Sequence, residues 1–598
     1  MIQTRLAAFR KVMKEQNIQC YIIPTGDYHN SEYVSEYFRV REYFSGFTGS
    51  AGTLVVWMDR AALFTDGRYF IQAQKQLQGS GITLMKMGEP GVPGIRAYVE
   101  QELAEGENIA FDGRVMTAVE GKAYEKIAEK KGGSVIWHLD PADQIWKERP
   151  VIRNTKAYIL KEQYSGEDTA CKLKRLREQM READAQVHIL TTLDDIAWLF
   201  NLRADDVESC PVLLAYALIS AEKACLFVGE SSIEDEVKSS FSEDKITFIP
   251  YRDFYSYVSK LVKEQPSLRF LVWEKRINYR LSKELEGTDV INQPNPTALM
   301  KAVKNPIEQD NIRKAHLLDG IAVTRFMYWL KSKAGKVPMT EISAAKHLEE
   351  LRAKCPSYIE PSFATISAYG PNGAIVHYSA EEDHCAAIEA KGMLMVDSGG
   401  HYYEGSTDIT RTFVLGEITE EMRHHFTLVA RAMLRLMNVR FLKGCNGVNL
   451  DLAAREVFWE EGLDYKHGTG HGVGYLLNVH EGPNRFQFKP SVNDDEVWEF
   501  EEGMITTDEP GIYIEGSHGV RLENELLCRR GEKNEHGQFM YFENLTFVPL
   551  DLDGIDKNAM EEKERRMLNE YHRQVFQKLS PYFQGEELAW LRSATREI

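Results

Sequence analysis

The sequence predicts two similar α/β domains followed by a larger α+β domain, over residues 1–150, 151–300 and 301–598. Three observations carry that expectation. Helix and strand signals alternate through the first half of the chain. Within that half, the order helix, strand, loop, strand, strand, helix occurs twice at an offset of about 160 residues. Beyond Met300, two long helical patterns give way to short apolar runs punctuated by glycine.

The elements can be taken in order. Apolar residues at helical spacing place an amphipathic helix over 4–16, and Cys20-Tyr-Ile-Ile23 is a strand that Pro24 and Gly26 end. The Gly-rich stretch Phe44-Ser-Gly-Phe-Thr-Gly-Ser-Ala-Gly52 makes a turn before strands over 53–57 and 61–64. Thr65-Asp-Gly67 then leads into a helix carrying Ile71, Ala73 and Leu77. In the second domain a helix over 168–183 precedes a strand over 186–190, a loop over 201–206, and strands over 212–219 and 224–228. Identity between the halves is weak, so two unrelated α/β domains would give the same signals. Proline and charge mark linkers near 147–156 and 292–306. The third domain opens with helices over 306–331 and 340–353 and regains helices over 420–439 and 450–461. Its tail, 560–598, is two helices split at Ser580-Pro581.

Composition removes several classes of function. With 43% hydrophobic and 27% charged residues the chain is an ordinary globular one. A net charge of −18 opposes general nucleic-acid binding, which needs clustered Lys and Arg. The best apolar run, 211–219, falls far short of the roughly 20 residues a membrane span requires. The first 16 residues alternate apolar and charged types, unlike a signal peptide. The eight cysteines form no CxxC pair, and Cys20 and Cys225 precede apolar strands. Free thiols in a reducing compartment, and therefore a cytoplasmic protein, are expected.

Acidic and histidine residues gather in the third domain. Asp397 ends the apolar run Met393-Leu-Met-Val396, and Asp408 stands beside Ile409 and Phe413, so each of two strand-like runs carries an aspartate. A buried unpaired carboxylate costs several kcal/mol unless it is paired or binds a metal. Two turn aspartates would look alike in sequence. In His467-Gly-Thr-Gly-His471-Gly-Val-Gly474 two histidines stand at i,i+4, but four glycines in eight residues make a helix implausible. Such glycine content suits backbone packed close to a ligand. Asn478-Val-His480-Glu-Gly-Pro483 places another histidine at a strand end, and Met504-Ile-Thr-Thr-Asp-Glu509 is a strand ending in an acid. In Gly519-Val-Arg-Leu-Glu523-Asn-Glu-Leu-Leu527, alternation puts Glu523 with Arg521 and Glu525, away from Val520, Leu522 and Leu526. That is ordinarily a solvated face. Taken together, two Asp, two Glu and one His make the ligand inventory of a two-metal site. Hard oxygens with one imidazole suit Mn²⁺, Co²⁺ or Zn²⁺, and the lack of cysteine speaks against a structural zinc.

Seven motifs in order then resemble the metal-dependent Xaa-Pro aminopeptidases (aminopeptidase P) of the pita-bread fold. They are Ile375-Val-His377-Tyr, Val396-Asp397-Ser-Gly, Thr407-Asp408-Ile-Thr-Arg, His467-Gly-Thr-Gly-His471-Gly, Val479-His480-Glu-Gly-Pro, Asp508-Glu509-Pro-Gly and Arg521-Leu-Glu523-Asn. In the first domain Ile23-Pro-Thr-Gly-Asp27, the glycine-rich stretch and Thr65-Asp-Gly-Arg-Tyr-Phe70 resemble the three-domain long form. The likeness spans essentially the whole chain. It implies N-terminal domains of creatinase/prolidase type and a pita-bread catalytic domain. It implies that Asp397 chelates one metal, that Asp408 and Glu523 bridge both, and that His471 and Glu509 complete the second. His377 would contact substrate near the scissile bond, His480 the substrate carbonyl or tetrahedral intermediate, and His467 the pocket wall. Arg68 would help bind substrate from the first domain, although by sequence position it is an exposed helix-start residue. Glu509 would shuttle the proton and Tyr378 is a candidate for the proline pocket.

The activity so implied is removal of the N-terminal residue from peptides with proline second, by hydroxide generated on two divalent ions, with Mn²⁺ the first choice. A prolidase limited to Xaa-Pro dipeptides, or an inactive pita-bread module that binds protein, are the alternatives. The resemblance also implies a homodimer. The tail offers Leu568, Tyr571, Val575, Phe576, Leu579, Tyr582, Phe583, Leu588, Trp590 and Leu591 for its interface, or for burial against its own domain.

Overall fold

Short apolar runs separated by turn residues fold the first half of the chain into two six-stranded sheets. The structure, a computed structural model, describes residues 1–241, 245–489 and 498–598. The first sheet holds β1 (Cys20–Pro24), β2 (Thr53–Trp57), β3 (Ala61–Thr65), β4 (Thr83–Lys86), β5 (Ile109–Ala110) and β6 (Val135–Ile136) in the order β4-β3-β2-β1-β5-β6. The β1–β2 and β2–β3 pairs are antiparallel and the rest parallel. The second sheet holds β7 (Val187–Leu190), β8 (Ala215–Ser220), β9 (Ala224–Val228), β10 (Ile246–Pro250), β11 (Arg269–Val272) and β12 (Asp289–Asn292), in the order β10-β9-β8-β7-β11-β12. Its pairing directions repeat those of the first sheet strand for strand. The recurrence in the sequence is therefore one topology built twice. Both sheets belong to one unit, Met1–Lys161 with Glu167–Thr297.

The second unit is Glu162–Gly166 with Ala298–Ile598. Its long helix α1 (Pro306–Lys333) starts where Asn305 accepts the Ile307 and Glu308 amides and Glu308 bonds back, a capping box with proline at the first helical position. After α2 (Glu341–Arg352), strands β13 (Ile366–Tyr369), β14 (Met393–Ser398) and β15 (Ile409–Val414) form an antiparallel sheet with β14 central. Every residue of β14 and β15 is buried. Helices α3 (Glu420–Met437) and α4 (Leu452–Trp459) pack beside a second sheet. That sheet holds β16 (Arg440–Leu442), β17 (Gly470–Gly472), β18 (Glu481–Phe486), β19 (Ile505–Asp508), β22 (Asn524–Asn534) and β23 (Gly537–Asn544), in the order β16-β23-β22-β19-β17-β18. The hairpin of β20 (Gly511–Ile514) and β21 (His518–Arg521) stands between β19 and β22 in the chain.

Two expectations change, and the tail takes one of the two courses the sequence left open. The stretch 292–306 holds a helix, Pro296–Ala302, with Ala298, Lys301 and Ala302 buried, because proline fits a first helical turn as readily as a linker. The loop over 201–206 contains the strand Leu202–Arg203, paired with Tyr158–Ile159. The tail folds as α5 (Glu562–Leu579) and α6 (Gly585–Ala594), and Leu568, Tyr571, Val575, Leu579, Phe583 and Leu591 join the core that α3 contributes to. That burial removes most of the tail's apolar surface from any interface. All eight cysteines are free, and Cys20 and Cys225 are buried in strands. Among the described residues, no helix is long and apolar enough to cross a membrane.

Candidate metal centre

Strand pairing brings the acids together. Asp397 is the fifth residue of β14 and lies opposite Thr410 of β15, so Asp408, just ahead of β15, falls beside it. His471 is the middle residue of β17, Glu509 follows β19, and Glu523 lies between β21 and β22. Glycine at 470 and 472 lets these strands close up. A Cβ on Gly470 would run into the Thr507 carbonyl, and one on Gly472 into the Glu481 carbonyl. Three overlapping groups result: Asp397, Asp408 and Glu523; His471, Glu509 and Glu523; and Asp408, His471 and His480. Within each, the candidate ligand atoms lie within 4.8 Å of one another.

His471 Nε2 stands 3.4 Å from Asp408 Oδ2 and 3.7 Å from Glu509 Oε1. Its Nδ1–H donates to the Gly472 carbonyl at 3.0 Å, which leaves the Nε2 lone pair facing the acids. Glu523 Oε2 accepts from Thr410 Oγ1 at 2.8 Å, and the Asp408 amide donates to Glu525 Oε1 at 2.6 Å. Burial first, and then Asp397, Glu509 and Glu525, push the Asp408 carboxyl well above the usual range. Burial, followed by Asp408, Glu509 and Asp397, does the same to Glu523. Burial and Asp397 raise Glu509, while His471 and Arg521 oppose the shift. Asp397 Oδ1 is buried with no hydrogen-bond partner. An orphaned oxygen inside a cluster of mutually repelling carboxylates, with one imidazole lone pair, fits two divalent cations.

The remaining candidates fall in different places. The His480 ring stands 4.3 Å from that of His471 and perpendicular to it. His377 is half-buried in the turn after Gly370–Ala374, next to Val376, whose carbonyl accepts from Arg521 Nη2 at 3.3 Å. His467 Nε2 meets the Tyr513 hydroxyl at 2.9 Å. Arg68 belongs to the first unit. It is not the exposed residue its position suggests, because its Nε and Nη2 donate to the two oxygens of Asp66, each at 2.9 Å. The face of Arg521, Glu523 and Glu525 is not solvated either. The chain leaves strand geometry at Leu522 and Glu523, and all three charged residues are at most 1% exposed.

Arg521 is the residue that sequence reasoning left without a role. Its Nη2 donates to Asp397 Oδ2 at 2.6 Å, and its Nη1 to the Tyr513 hydroxyl at 2.8 Å. One guanidinium thus joins a candidate ligand to the His467 side of the site. The signal was present as three ionisable residues on one face of a short strand between leucines and valine.

The profile of metallopeptidase family M24 matches residues 310–530, and that of the C-terminal region of this peptidase family matches 538–598. The creatinase/prolidase N-terminal domain matches twice, at 5–145 and 148–308. A probable Xaa-Pro aminopeptidase P of Tuber melanosporum is 37% identical over 100% of this chain and 99% of its own length. One of Pyrenophora teres f. teres is 38% identical over 99% and 92%. The crystal structure of an X-prolyl aminopeptidase of Caenorhabditis elegans, described as a cytosolic enzyme with a di-nuclear active site, superposes with a TM-score of 0.95. It is 30% identical and covers 100% of both chains.

Proposed function

The chain belongs to metallopeptidase family M24, and from that membership we propose that it is an Xaa-Pro aminopeptidase that removes the N-terminal residue from peptides with proline in second position. The convergence of Asp397, Asp408, His471, Glu509 and Glu523 on one cluster, buried at Asp397, Asp408 and Glu523 and partly open at His471 and Glu509, carries this reading. These five would hold two divalent cations, with Asp408 and Glu523 shared between them. Mn²⁺ is the proposed ion, ahead of Co²⁺ and Zn²⁺. Cations held there would supply Lewis acidity, lowering the pKa of water and polarising a carbonyl.

The chain's own residues do the rest. Arg521 holds Asp397 by one oxygen and leaves the other directed into the cluster. His480, beside His471, donates a hydrogen bond to the carbonyl oxygen as it gains charge. Glu509, 3.7 Å from His471 Nε2, takes a proton from the attacking water and passes it to the leaving proline nitrogen. His377 contacts substrate near the scissile bond, while His467, tied to Tyr513, lines the pocket. The peptide bond before proline carries no N–H, so selection rests on the ring's shape in an apolar wall. Arg68, fixed on Asp66, is proposed to contact substrate. A cytoplasmic homodimer is proposed from the family resemblance, with an interface other than the tail's buried face.

Purified protein stripped by chelator, and then given Mn²⁺, Co²⁺ or Zn²⁺, should recover hydrolysis of Xaa-Pro-Xaa tripeptides and bind two ions per chain. Cleavage of Xaa-Pro dipeptides alone would make it a prolidase instead. Sedimentation at the mass of one chain would remove the dimer.

A further inference from the structure

His377 rides on an excursion of the chain, 370–385, between β13 and a segment that returns beside α2. Both ends of that excursion meet one carboxylate. Glu341, the first residue of α2, is fully buried. Its Oε1 accepts from the Tyr369 amide at 2.7 Å and from Asn372 Nδ2 at 2.9 Å. Its Oε2 accepts from the Ala386 amide at 2.7 Å and from the Tyr378 hydroxyl at 2.8 Å. Two backbone amides thus close the base of the loop, and two side chains gather its interior. Backbone pairing supports the base, with the Ile388 amide 2.8 Å from the Met339 carbonyl and the Glu341 amide 3.2 Å from that of Ala386.

Carboxylate and loop depend on each other. A charge buried this deeply needs strong donors, and all four of these come from the loop or its ends. A surface loop with its ends pinned together is ordered only where its own contacts pack it. On the other flank, Val376 offers its carbonyl to Arg521, which grips Asp397. His377 therefore sits between two anchors: Val376 leads to the metal cluster, and Tyr378 leads to Glu341.

We infer that Glu341 is a positioning residue, holding 370–385 so that His377 faces the substrate. The inference rests on the aminopeptidase reading and deepens it. It also gives the Tyr378 hydroxyl a partner in Glu341 in place of a role in proline recognition.

Glu341→Gln tests it, because the amide turns one acceptor oxygen into a donor that faces other donors. In the metal-loaded enzyme, kcat/KM on an Xaa-Pro-Xaa tripeptide should fall about tenfold to hundredfold, with bound metal unchanged. In a His377→Ala background the same change should cost less than about twofold, since the positioned group is already gone. Tyr378→Phe should give a smaller loss and leave the preference for proline over alanine in second position unaltered. The inference is overturned if Glu341→Gln stays within about twofold of wild type, or loses as much with His377→Ala as without it. If Glu341→Gln does not fold, Tyr378→Phe carries the same cycle with His377→Ala, judged the same way. An inactive wild type removes the aminopeptidase reading and this role with it. An active wild type with additive losses removes only the role of Glu341.

Discussion

Asp319 and Asp408 are both buried carboxylates of the same unit, and the chain treats them in opposite ways. Asp319, on α1, is 0% exposed and fully answered. Arg352 Nε donates to its Oδ1 at 2.6 Å and Arg352 Nη2 to its Oδ2 at 3.1 Å, joined by the Tyr402 hydroxyl at 2.8 Å and Thr407 Oγ1 at 2.9 Å. The next residue in the chain is Asp408. Among the described residues, no lysine or arginine forms an ion pair with it or with Glu523, and its strongest neighbours are other acids. The protein can therefore build a complete counter-charge for a buried aspartate whose partner Thr407 is the neighbour of Asp408 in the chain. Where it does not, the proposed cations would supply the missing charge from outside the chain.

The largest effect expected from this contrast is on catalysis at the unanswered acids. Asp408→Asn or Glu523→Gln should lower kcat/KM by about a thousandfold or more, because each is proposed to serve both cations. The metal-free variant should unfold at the same temperature as metal-free wild type or higher, since one repelling charge has left the cluster. Steady-state kinetics with metal analysis, and calorimetry after chelation, read the two outcomes. Near-wild-type turnover with two bound ions would break the contrast.

At Asp319 the balance should reverse. Arg352→Met leaves the carboxylate buried with only hydroxyl donors, and removal of one partner of a buried ion pair costs about 3–5 kcal/mol. Chemical denaturation should show that loss, while kcat per folded molecule changes less than about tenfold. A variant of native stability that had lost its activity would mean that the Asp319 network acts through Thr407 on Asp408.

How far sequence reveals such differences depends on what kind of pattern encodes them. The repeated run of a helix and three strands was legible from apolar patterning, whereas the outer strands β4–β6 and β10–β12 and the order of strands in each sheet were not. The acids and histidines of the site were legible as residue types at strand ends and glycine-rich turns, and the seven motifs through their resemblance to a known family. Glu523 shows the limit. Period-two alternation placed it on a solvated face, yet the chain abandons strand geometry at Leu522 and buries the whole face, which local pattern cannot express. Arg68 was misjudged for a similar reason, since the clamp by Asp66 depends on a turn geometry and not on exposure. The tail's aromatic content did not reveal which surface would cover it. Glu341 gave no signal, because four donors from a distant loop leave no mark around residue 341.

A third treatment of buried titratable groups completes the comparison and gives the smallest effect. His188, on β7 in the first unit, and His572, on α5 in the second, are kept neutral instead of paired. His188 Nδ1 donates to the Leu271 carbonyl, and burial lowers its pKa to about 4 despite that bond. His572 Nε2 accepts from the Leu550 amide, and burial first, then Arg411 and Arg596, lower its pKa to about 3. Both folded values lie below the ordinary histidine value of 6.5, so the unfolded chain binds more protons in between. Their stabilisation is complete above about pH 6.5 and is lost as the pH falls toward the folded values, by about 2 kcal/mol each at pH 5. His572→Gln keeps an acceptor for Leu550 but cannot take up a proton. The free-energy difference between variant and wild type, from denaturation at pH 7.5 and pH 5, should move about 2 kcal/mol in the variant's favour on acidification. Taking that difference cancels the titration of every acid the two proteins share, the metal cluster included. A difference that does not change with pH would show that His572 titrates normally, and that this buried base is answered by proton uptake rather than left neutral.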